Sequence, residues 1–295
     1  MPAQAPPRMN PKQKSIPQSG LLDSTDHSRD SAGMTYVYPV VSRRAGGVSI
    51  GINLNPNNAC NWRCIYCQVP DLQRGRAPAI DLGLLEIELR TLLEDLLHGD
   101  FMVRRVPAEA RQIVDIAISG NGEPTSAHEF PQVVALVIRL RDAFGLTIKL
   151  RLITNGSLID RPAVREGLIH LAQGNGEVWF KLDAATKEGI ARINGVALDP
   201  AGVARRLRNC ADICSTWVQT CCFLLDDLPP SEEEILAWLK ILDQTKTSLA
   251  GVHLYGLARP SLQSEAPRLK PLSAAWLETL AERVRQLGLT VHVSP

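Results

Sequence analysis

Three closely spaced cysteines are the residues of this chain best suited to chemistry. Cys60, Cys64 and Cys67 lie in the stretch NLNPNNACNWRCIYCQVP, with three residues between the first two and two residues between the last two. The Asn and Pro residues upstream disfavour a regular strand or helix, so we expect the thiols on a loop that can surround a ligand. Clustered thiolates hold zinc ions and iron–sulfur clusters. The spacing therefore predicts a metal site.

Burial in a helix is the alternative for these cysteines. Their positions also fit an i, i+4, i+7 stripe, and free cysteine is often a small buried residue. The intervening residues, however, show no polar face opposite an apolar one. The pattern therefore favours the loop over the helix.

The number of thiols bears on which metal they hold. A structural zinc takes four ligands, usually as two pairs, and neither a second CxxC pair nor a nearby His follows here. A cubane iron–sulfur cluster normally takes four cysteines, so three leave one iron open to a substrate or cofactor. Three protein classes stay open at this point: a catalytic cluster enzyme, an iron–sulfur electron-transfer protein and a structural metal-binding protein.

The segment CNWRCIYC resembles the CxxxCxxC signature of the radical S-adenosylmethionine (radical SAM) superfamily. In that family three cysteines hold one 4Fe-4S cluster, and the methionyl amine and carboxylate of S-adenosyl-L-methionine chelate the fourth iron. The resemblance implies Cys60, Cys64 and Cys67 as the cluster ligands. It also implies a place near the adenine for Tyr66, which precedes the third cysteine.

Three later segments extend this resemblance to the second cofactor. The turn SGNGEPT is similar to the family's GGE motif, which grips the methionyl amine, with an Asn in place of the middle glycine. The TNG and KLDA segments look like the strand ends that contact the cofactor in the family. The resemblance thus implies cofactor binding by Gly120, Asn121, Gly122, Glu123, Thr154, Asn155, Lys181 and Asp183.

Length and composition describe one globular unit after an N-terminal tail. The chain has 295 residues, 45% hydrophobic content and a net charge of +1. It contains no apolar run of about 18 residues and no signal peptide pattern, so we expect a cytoplasmic protein without a membrane partner. Residues 1–33 are rich in Pro, Gln, Ser and Asp and are predicted to be disordered, which leaves 34–295 as the catalytic domain.

Apolar periodicity after the tail alternates between the strand and helix periods. A capping box of Ser231 with Glu234 marks the start of one helix, and Asp199-Pro200 marks another. Such alternation indicates a parallel sheet with helical crossovers. The expected fold is α/β, and the resemblance favours a partial (β/α)6 TIM-like barrel with parallel strands. We predict strands over 48–54, 113–119, 147–154, 177–183, 216–224, 250–256 and 289–293, with helices over 82–98, 127–144, 162–172, from 200, 231–244 and 273–287.

Side chains two apart on a strand share a face, which predicts the residues that point into the barrel. On the strand ending in TNG, the alternation predicts Arg151, Ile153 and Asn155 there. The same rule predicts the lumen-facing residues Trp179, Lys181, Asp183, Gln219, His253 and Tyr255 on the later strands. Among the other cysteines, Cys210 and Cys214 follow a helical apolar stripe, and Cys221 and Cys222 point to opposite faces of a strand. We expect these four in the core, without a second cluster.

The order of the motifs most resembles the branch that includes the wybutosine-synthesis tRNA-modifying enzymes and uncharacterised iron–sulfur oxidoreductases. The resemblance implies a radical SAM enzyme in which a 5′-deoxyadenosyl radical abstracts hydrogen from RNA or from a peptide or protein; tRNA is one candidate. With one cluster motif and no GxGxxG turn, electrons must come from a separate flavodoxin or ferredoxin. The pair Arg43-Arg44, with Arg74 and Arg76, is expected to steer such an acidic donor.

Overall fold

The computed structural model describes residues 21–22, 33–42 and 46–295. Most of the predicted tail, as well as Arg43 and Arg44, therefore lies outside the described residues. Leu22 is within them. Its side chain is buried, and its backbone N–H donates to the Arg105 carbonyl at 2.7 Å.

The chain alternates strands and helices along most of its length. The strands are β1 Val37–Ser42, β2 Gly47–Ile52, β3 Ala59–Cys60, β4 Gln73–Arg74, β5 Ile113–Ile118, β6 Lys149–Thr154, β7 Glu177–Lys181, β8 Thr216–Leu225, β9 Leu249–Gly256, β10 Leu269–Pro271 and β11 Val291–Ser294. The helices are α1 Leu82–Leu97, α2 Phe101–Arg105, α3 Phe130–Ala143, α4 Pro162–Gln173, α5 Lys187–Asn194, α6 Pro200–Ala211, α7 Glu232–Thr245 and α8 Ala274–Arg285. Short 3-10 turns occupy Ala108–Ala110, Pro124–Ser126 and Ala266–Arg268.

One curled sheet organises these elements, in the order β1-β2-β5-β6-β7-β8-β9-β11. All neighbours from β2 to β11 are parallel, β1 is antiparallel to β2, and β10 adds to β8 in antiparallel orientation. Strands β2, β5 to β9 and β11 are thus seven parallel strands, which form a partial TIM-like barrel. The predicted fold class is confirmed.

Strand parity separates the helix-covered face of the sheet from the lumen. Leu150 and Leu152 of β6 are fully buried in the apolar core, as are Leu85 and Leu89 on the inner face of α1. The intervening Arg151 is only partly buried and lines the lumen. The period-2 pattern of β6 therefore gave the correct orientation.

Several elements differ from the sequence prediction. Strand β1 and helices α2 and α5 were not predicted. Helix α5 is short and carries an internal glycine; it is delimited by a Thr186 side-chain cap and by Gly195, whose φ of 64° ends the helix. The capping box is half right: Ser231 accepts from the Glu234 N–H, but the Glu234 carboxylate accepts from Ala185 and Thr186 instead. A long-range contact of the Glu234 carboxylate thus replaces the local hydrogen bond that a capping box would form.

Candidate active site

A cavity of about 1000 Å³ opens at the carboxyl ends of the parallel strands. This lies at the upper end of the usual range for small-molecule sites, roughly 300 to 1,000 Å³. Ten of the twelve residues predicted as cluster or cofactor ligands line it: Cys60, Cys64, Tyr66, Cys67, Gly120, Asn121, Gly122, Glu123, Asn155 and Lys181. The other two, Thr154 and Asp183, do not line the cavity themselves but bond to residues that do.

The cysteine loop follows β2 and runs along the mouth of this cavity. The Trp62 N–H donates to the Cys60 sulfur at 3.4 Å, and the Cys67 N–H donates to the Cys64 carbonyl at 3.0 Å. Burial raises the pKa of the Cys60 thiol to about 11 and that of Cys64 to about 12. Both thiols therefore need a bound metal to become thiolates at neutral pH.

The thiols of Cys60, Cys64 and Cys67 line the same cavity. Among the described residues, no group of three His, Cys, Asp or Glu side chains is placed to chelate a single metal ion. A zinc ion with Zn–S bonds of about 2.3 Å draws its sulfurs close together. Cysteines of a cubane cluster each bind a different iron, and three of them leave the fourth iron open to a second ligand.

Asparagine side chains fix the loop against the Gly120–Glu123 turn. Oδ1 of Asn53 accepts from the backbone N–H groups of Asn55 and Asn121, both at 3.0 Å. A Cβ on Gly122 would lie closer than 3.0 Å to the Ala59 carbonyl and to Asn55, so only glycine fits there. Oδ1 of Asn55 and Oδ1 of Asn121 are buried without a partner among the described residues. Unpaired buried acceptors of this kind are costly unless a ligand meets them.

The carboxylate of Glu123 is buried and bonded on both oxygens. Oε1 accepts from the hydroxyls of Thr125 and Thr154, each at 2.6 Å, and Oε2 accepts from the Asn155 N–H at 2.7 Å. Burial raises the pKa of this carboxyl, and the hydrogen bonds oppose that shift. Through these hydrogen bonds Glu123 connects the turn after β5 to the TNG end of β6. Thr154 contributes one of them.

Tyr66 and Lys181 meet beside the thiols. The Lys181 ammonium lies 4.8 Å from the centroid of the Tyr66 ring, and no carboxylate of a described residue forms an ion pair with it. The Tyr66 hydroxyl donates to Oδ2 of Asp183 at 2.5 Å. Asp183 also accepts from the side chain of Asn194 at 3.0 Å and from the Cys221 N–H at 3.1 Å. This carboxylate thus positions its neighbours from behind the wall.

Deeper in the lumen, near the amino ends of the strands, charged side chains pair with each other. Arg151 forms ion pairs with Asp115 and with Glu177, the latter at 2.7 Å, and its guanidinium lies 4.9 Å from the Trp179 ring centroid. Ser49 donates to Asp115. Burial raises the pKa of Asp115 despite the neighbouring guanidinium. This group closes the lower end of the lumen.

Comparison with known proteins identifies the family. The model of the radical SAM superfamily matches residues 54–239, well over half of the chain. This chain belongs to the radical SAM superfamily. The family uses a 4Fe-4S cluster and S-adenosyl-L-methionine, and its members generally need an external reductant.

Solved structures similar to this radical SAM chain show the same fold. A structure of TYW1 with a lysine-pyruvate adduct bound has a TM-score of 0.55 at 16% identity and covers 81% of this chain and 73% of that one. A radical SAM methyltransferase from Sphaerobacter thermophilus has a TM-score of 0.58 at 13% identity and covers 84% and 66%. At these identities the likeness concerns the fold alone. TYW1 represents the wybutosine branch that the sequence motifs resembled.

A curated relative, the GTPase Obg of Brachyspira hyodysenteriae, is 27% identical over 217 residues. The match covers 70% of this radical SAM chain but 28% of that protein, so the chain spans little more than a quarter of the relative's length. The sequence also contains no GxxxxGK[ST] phosphate loop. In the described part of the chain, no helix is long and apolar enough to cross a membrane.

Two structural groups around the radical SAM loop were missed by the sequence analysis. The first is the segment 261–265 after β9, which we call the strap. Its Ser261 hydroxyl donates to the Ile65 carbonyl at 2.7 Å, and the Leu262 N–H donates to the Cys67 carbonyl at 2.9 Å. The second is Asn194 at the end of α5, whose side chain donates to the Cys64 sulfur at 3.4 Å. Neither group follows a periodic pattern, because both act through long-range contacts.

The remaining cysteines are buried, as predicted. Cys210, Cys214 and Cys222 pack in the main apolar core. Cys221 packs with Ile65, Tyr66 and Phe223 in a second cluster and also lines the cavity.

Proposed function

We propose that this chain is a radical SAM enzyme whose single 4Fe-4S cluster is held by Cys60, Cys64 and Cys67. The observation that supports this assignment is the meeting of these thiols with the Gly120–Glu123 turn and the end of β6 in one cavity. The donor set fits a cluster, because three thiols leave one iron of a cubane open to a second ligand. The buried Oδ1 atom of Asn121, which lines the cavity and has no partner among the described residues, fits a second polar ligand.

When bound, the two cofactors supply reductive cleavage of S-adenosyl-L-methionine to methionine and a 5′-deoxyadenosyl radical that abstracts a substrate hydrogen. The protein binds, orients and excludes water. Oε2 of Glu123 keeps spare acceptor capacity beside its one bond from Asn155, which suits the methionyl ammonium. The Lys181 ammonium, without a carboxylate partner among the described residues, suits an anionic group of the cofactor. Tyr66 offers a ring face near the cysteine loop for the adenine.

Thr154 and Asp183 have a different role in this proposal. Both lie behind the cavity wall and hold residues that line it: Thr154 bonds Glu123, and Asp183 bonds Tyr66. We assign them to positioning, whereas Gly120, Asn121, Gly122 and Asn155 form the cofactor-facing wall.

The proposed reaction is of oxidoreductase or lyase type, and its substrate is RNA, with tRNA as one candidate, or a peptide or protein. The net charge of +1 provides no overall field for nucleic acid. Substrate class therefore has to be tested directly. We propose a cytoplasmic location, where thiols stay reduced.

The proposed electron donor is a separate flavodoxin or ferredoxin. Arg76 is exposed beside the loop and suits an acidic partner. Arg74 instead donates to the carbonyls of Asn61 and Gly195, so that part of its guanidinium is used to hold the loop. Arg43 and Arg44 lie outside the described residues.

The test is anaerobic reconstitution followed by assay of 5′-deoxyadenosine. The absorbance spectrum with and without S-adenosyl-L-methionine separates a radical SAM site from an electron-transfer cluster and from colourless zinc. The reduced enzyme is then incubated with tRNA, protein and small-molecule fractions, and the fraction that raises 5′-deoxyadenosine contains the substrate. NADPH alone should give no product, and NADPH with flavodoxin and its reductase should restore it. A colourless protein, or a cluster that leaves S-adenosyl-L-methionine intact, would refute the proposal.

A further inference from the structure

We infer that Asn194 tunes the reduction potential of the cluster through a hydrogen bond to the sulfur of Cys64. Its Nδ2 lies 3.4 Å from Cys64 Sγ and 3.0 Å from Oδ2 of Asp183. One amide nitrogen therefore serves a sulfur and a carboxylate at once, with one hydrogen for each. The inference rests on the proposed role of Cys64 as a cluster ligand.

The backbone around Asn194 prevents the side chain from moving away. Its carbonyl accepts from the Arg63 N–H at 3.0 Å, and the preceding Ile193 carbonyl accepts from the Ile65 N–H at 2.9 Å. Gly195 follows with a φ of 64°, and a Cβ there would lie closer than 3.0 Å to the Arg63 carbonyl. The end of α5 is thus bonded to the loop on both sides of Cys64.

The Asp183 carboxylate fixes the orientation of the amide. It accepts from Asn194 Nδ2, so the nitrogen rather than the oxygen of this amide must face that side. Its other bonds, to the Tyr66 hydroxyl and the Cys221 N–H, hold the carboxylate in place. Asn194 is only 1% exposed, so water does not compete for the bond to sulfur.

A hydrogen bond to a cluster thiolate makes reduction easier. The added electron increases the negative charge on the sulfurs, and a donor N–H stabilises that charge more in the reduced state. Hydrogen bonds to the sulfurs are among the factors that set iron–sulfur potentials. The three cysteines are not equivalent in this respect. The Cys60 sulfur accepts from the backbone N–H of Trp62, which no substitution except proline removes, whereas the Cys64 sulfur accepts from a side chain.

The experiment compares the reconstituted wild type with Asn194→Leu and Asn194→Ala. Leucine keeps the branched shape of asparagine at Cγ and removes the donor; alanine, which is smaller, is used if leucine does not fold. Asn209→Leu is the matched control, because Asn209 bonds Asp160 away from the loop. Redox titration followed by electron paramagnetic resonance measures the potential without S-adenosyl-L-methionine, and iron analysis and circular dichroism check loading and folding.

We expect a more negative potential in the Asn194 variants at full iron content, and no shift in Asn209→Leu. An unchanged or more positive potential would overturn the tuning role. Folded Asn194 variants that both lose iron would also overturn it, and would assign the bond to cluster retention. A wild type that binds no cluster would instead reject the proposed function, so the two failures are distinguishable.

Discussion

The two ends of the lumen contain polar residues of similar kinds, but they satisfy them differently. At the lower end, Arg151 pairs with Asp115 and Glu177, so its charge is balanced within the protein. At the upper end, the buried Oδ1 atom of Asn121 has no hydrogen-bond partner among the described residues, and Lys181 interacts with the Asp183 charge without forming an ion pair with it. Buried polar groups without partners cost stability unless a ligand meets them. The comparison indicates that the lower end supports the fold, and it agrees with the proposal that the upper end binds the cofactors.

The largest expected effect comes from the thiols of the upper end. Replacing Cys60, Cys64 or Cys67 with Ala should abolish cluster retention, because each would bind a different iron. Iron and sulfide analysis after anaerobic reconstitution measures this. Cys210→Ala and Cys214→Ala are the controls, since both thiols lie in the apolar core and should leave iron content unchanged. Iron loss in the controls would revive a second metal site.

The next effect tests the lower end. Arg151→Met should lower the free energy of unfolding by about 3 to 5 kcal/mol, because it leaves the buried Asp115 carboxylate and the half-buried Glu177 carboxylate without their cation. Chemical denaturation measures the loss. Adding Asp115→Asn and Glu177→Gln should restore much of it, since the unpaired charges are then removed. The control is Lys181→Met at the upper end, where the ammonium forms no ion pair with a described residue and meets the Asp183 charge only at longer range, so the loss of stability should be clearly smaller. Equal destabilisation by both would contradict the division between the two ends.

Burial of Asp115 adds a pH dependence to the lower end. Its pKa is raised, so the folded state favours the protonated carboxyl. The corresponding stability is fully present below the unfolded pKa and is lost as pH rises through the folded pKa. Asp115→Asn should remove this dependence. An unfolding midpoint that varies with pH equally in the variant and the wild type would assign the dependence to another group.

Glu123 tests whether the upper end binds S-adenosyl-L-methionine. Glu123→Gln should keep the cluster but lower cofactor affinity by about 1.5 to 3 kcal/mol, since a charge-assisted bond is lost. The substitution also weakens the tie to Thr154 and Asn155, because an amide nitrogen cannot accept their hydrogen bonds. Calorimetry on the reconstituted protein measures the affinity. Glu177→Gln, at the lower end, should leave it unchanged. If Glu123→Gln bound S-adenosyl-L-methionine as tightly as the wild type, the turn would have a structural role and no role in cofactor binding.

The upper end was predictable from sequence where its residues are consecutive. The CxxxCxxC loop, the GNGE turn and the TNG strand end are local segments, and the structure brings them to one cavity. The partners of these segments were not predictable. Asn194 sits in a short glycine-containing helix that periodicity did not reveal, and the strap is an irregular segment almost two hundred residues from the loop it bonds.

The lower end shows the complementary limit. Parity predicted that Arg151 faces the lumen, because β6 alternates regularly. Its partners Asp115 and Glu177 come from neighbouring strands, and their pairing depends on the register of β5, β6 and β7. The register is a property of the folded sheet. The sequence alone therefore did not reveal which carboxylates pair with Arg151.

The smallest expected effect comes from the strap, which holds the cysteine loop through its backbone. Ser261 is 6% exposed, and its hydroxyl donates to the Ile65 carbonyl at 2.7 Å. Ser261→Ala leaves that carbonyl without this donor and should cost about 0.5 to 1.5 kcal/mol of local stability. Since the loop must open to release iron, we expect a few-fold faster loss of iron to a chelator, with an unchanged global unfolding midpoint.

The matched control for this prediction lies three residues further along the strap. The exposed Ser264 hydroxyl bonds the partly exposed Arg63 and Glu265 side chains, which keep their own ion pair when that hydroxyl is removed. Ser264→Ala should therefore release iron at the wild-type rate, because surface contacts of this kind contribute little. Identical rates for the two serine variants would mean that the strap does not restrain the loop. The unequal rates that we expect would show that the upper end depends on a segment outside the cysteine motif for holding its cluster.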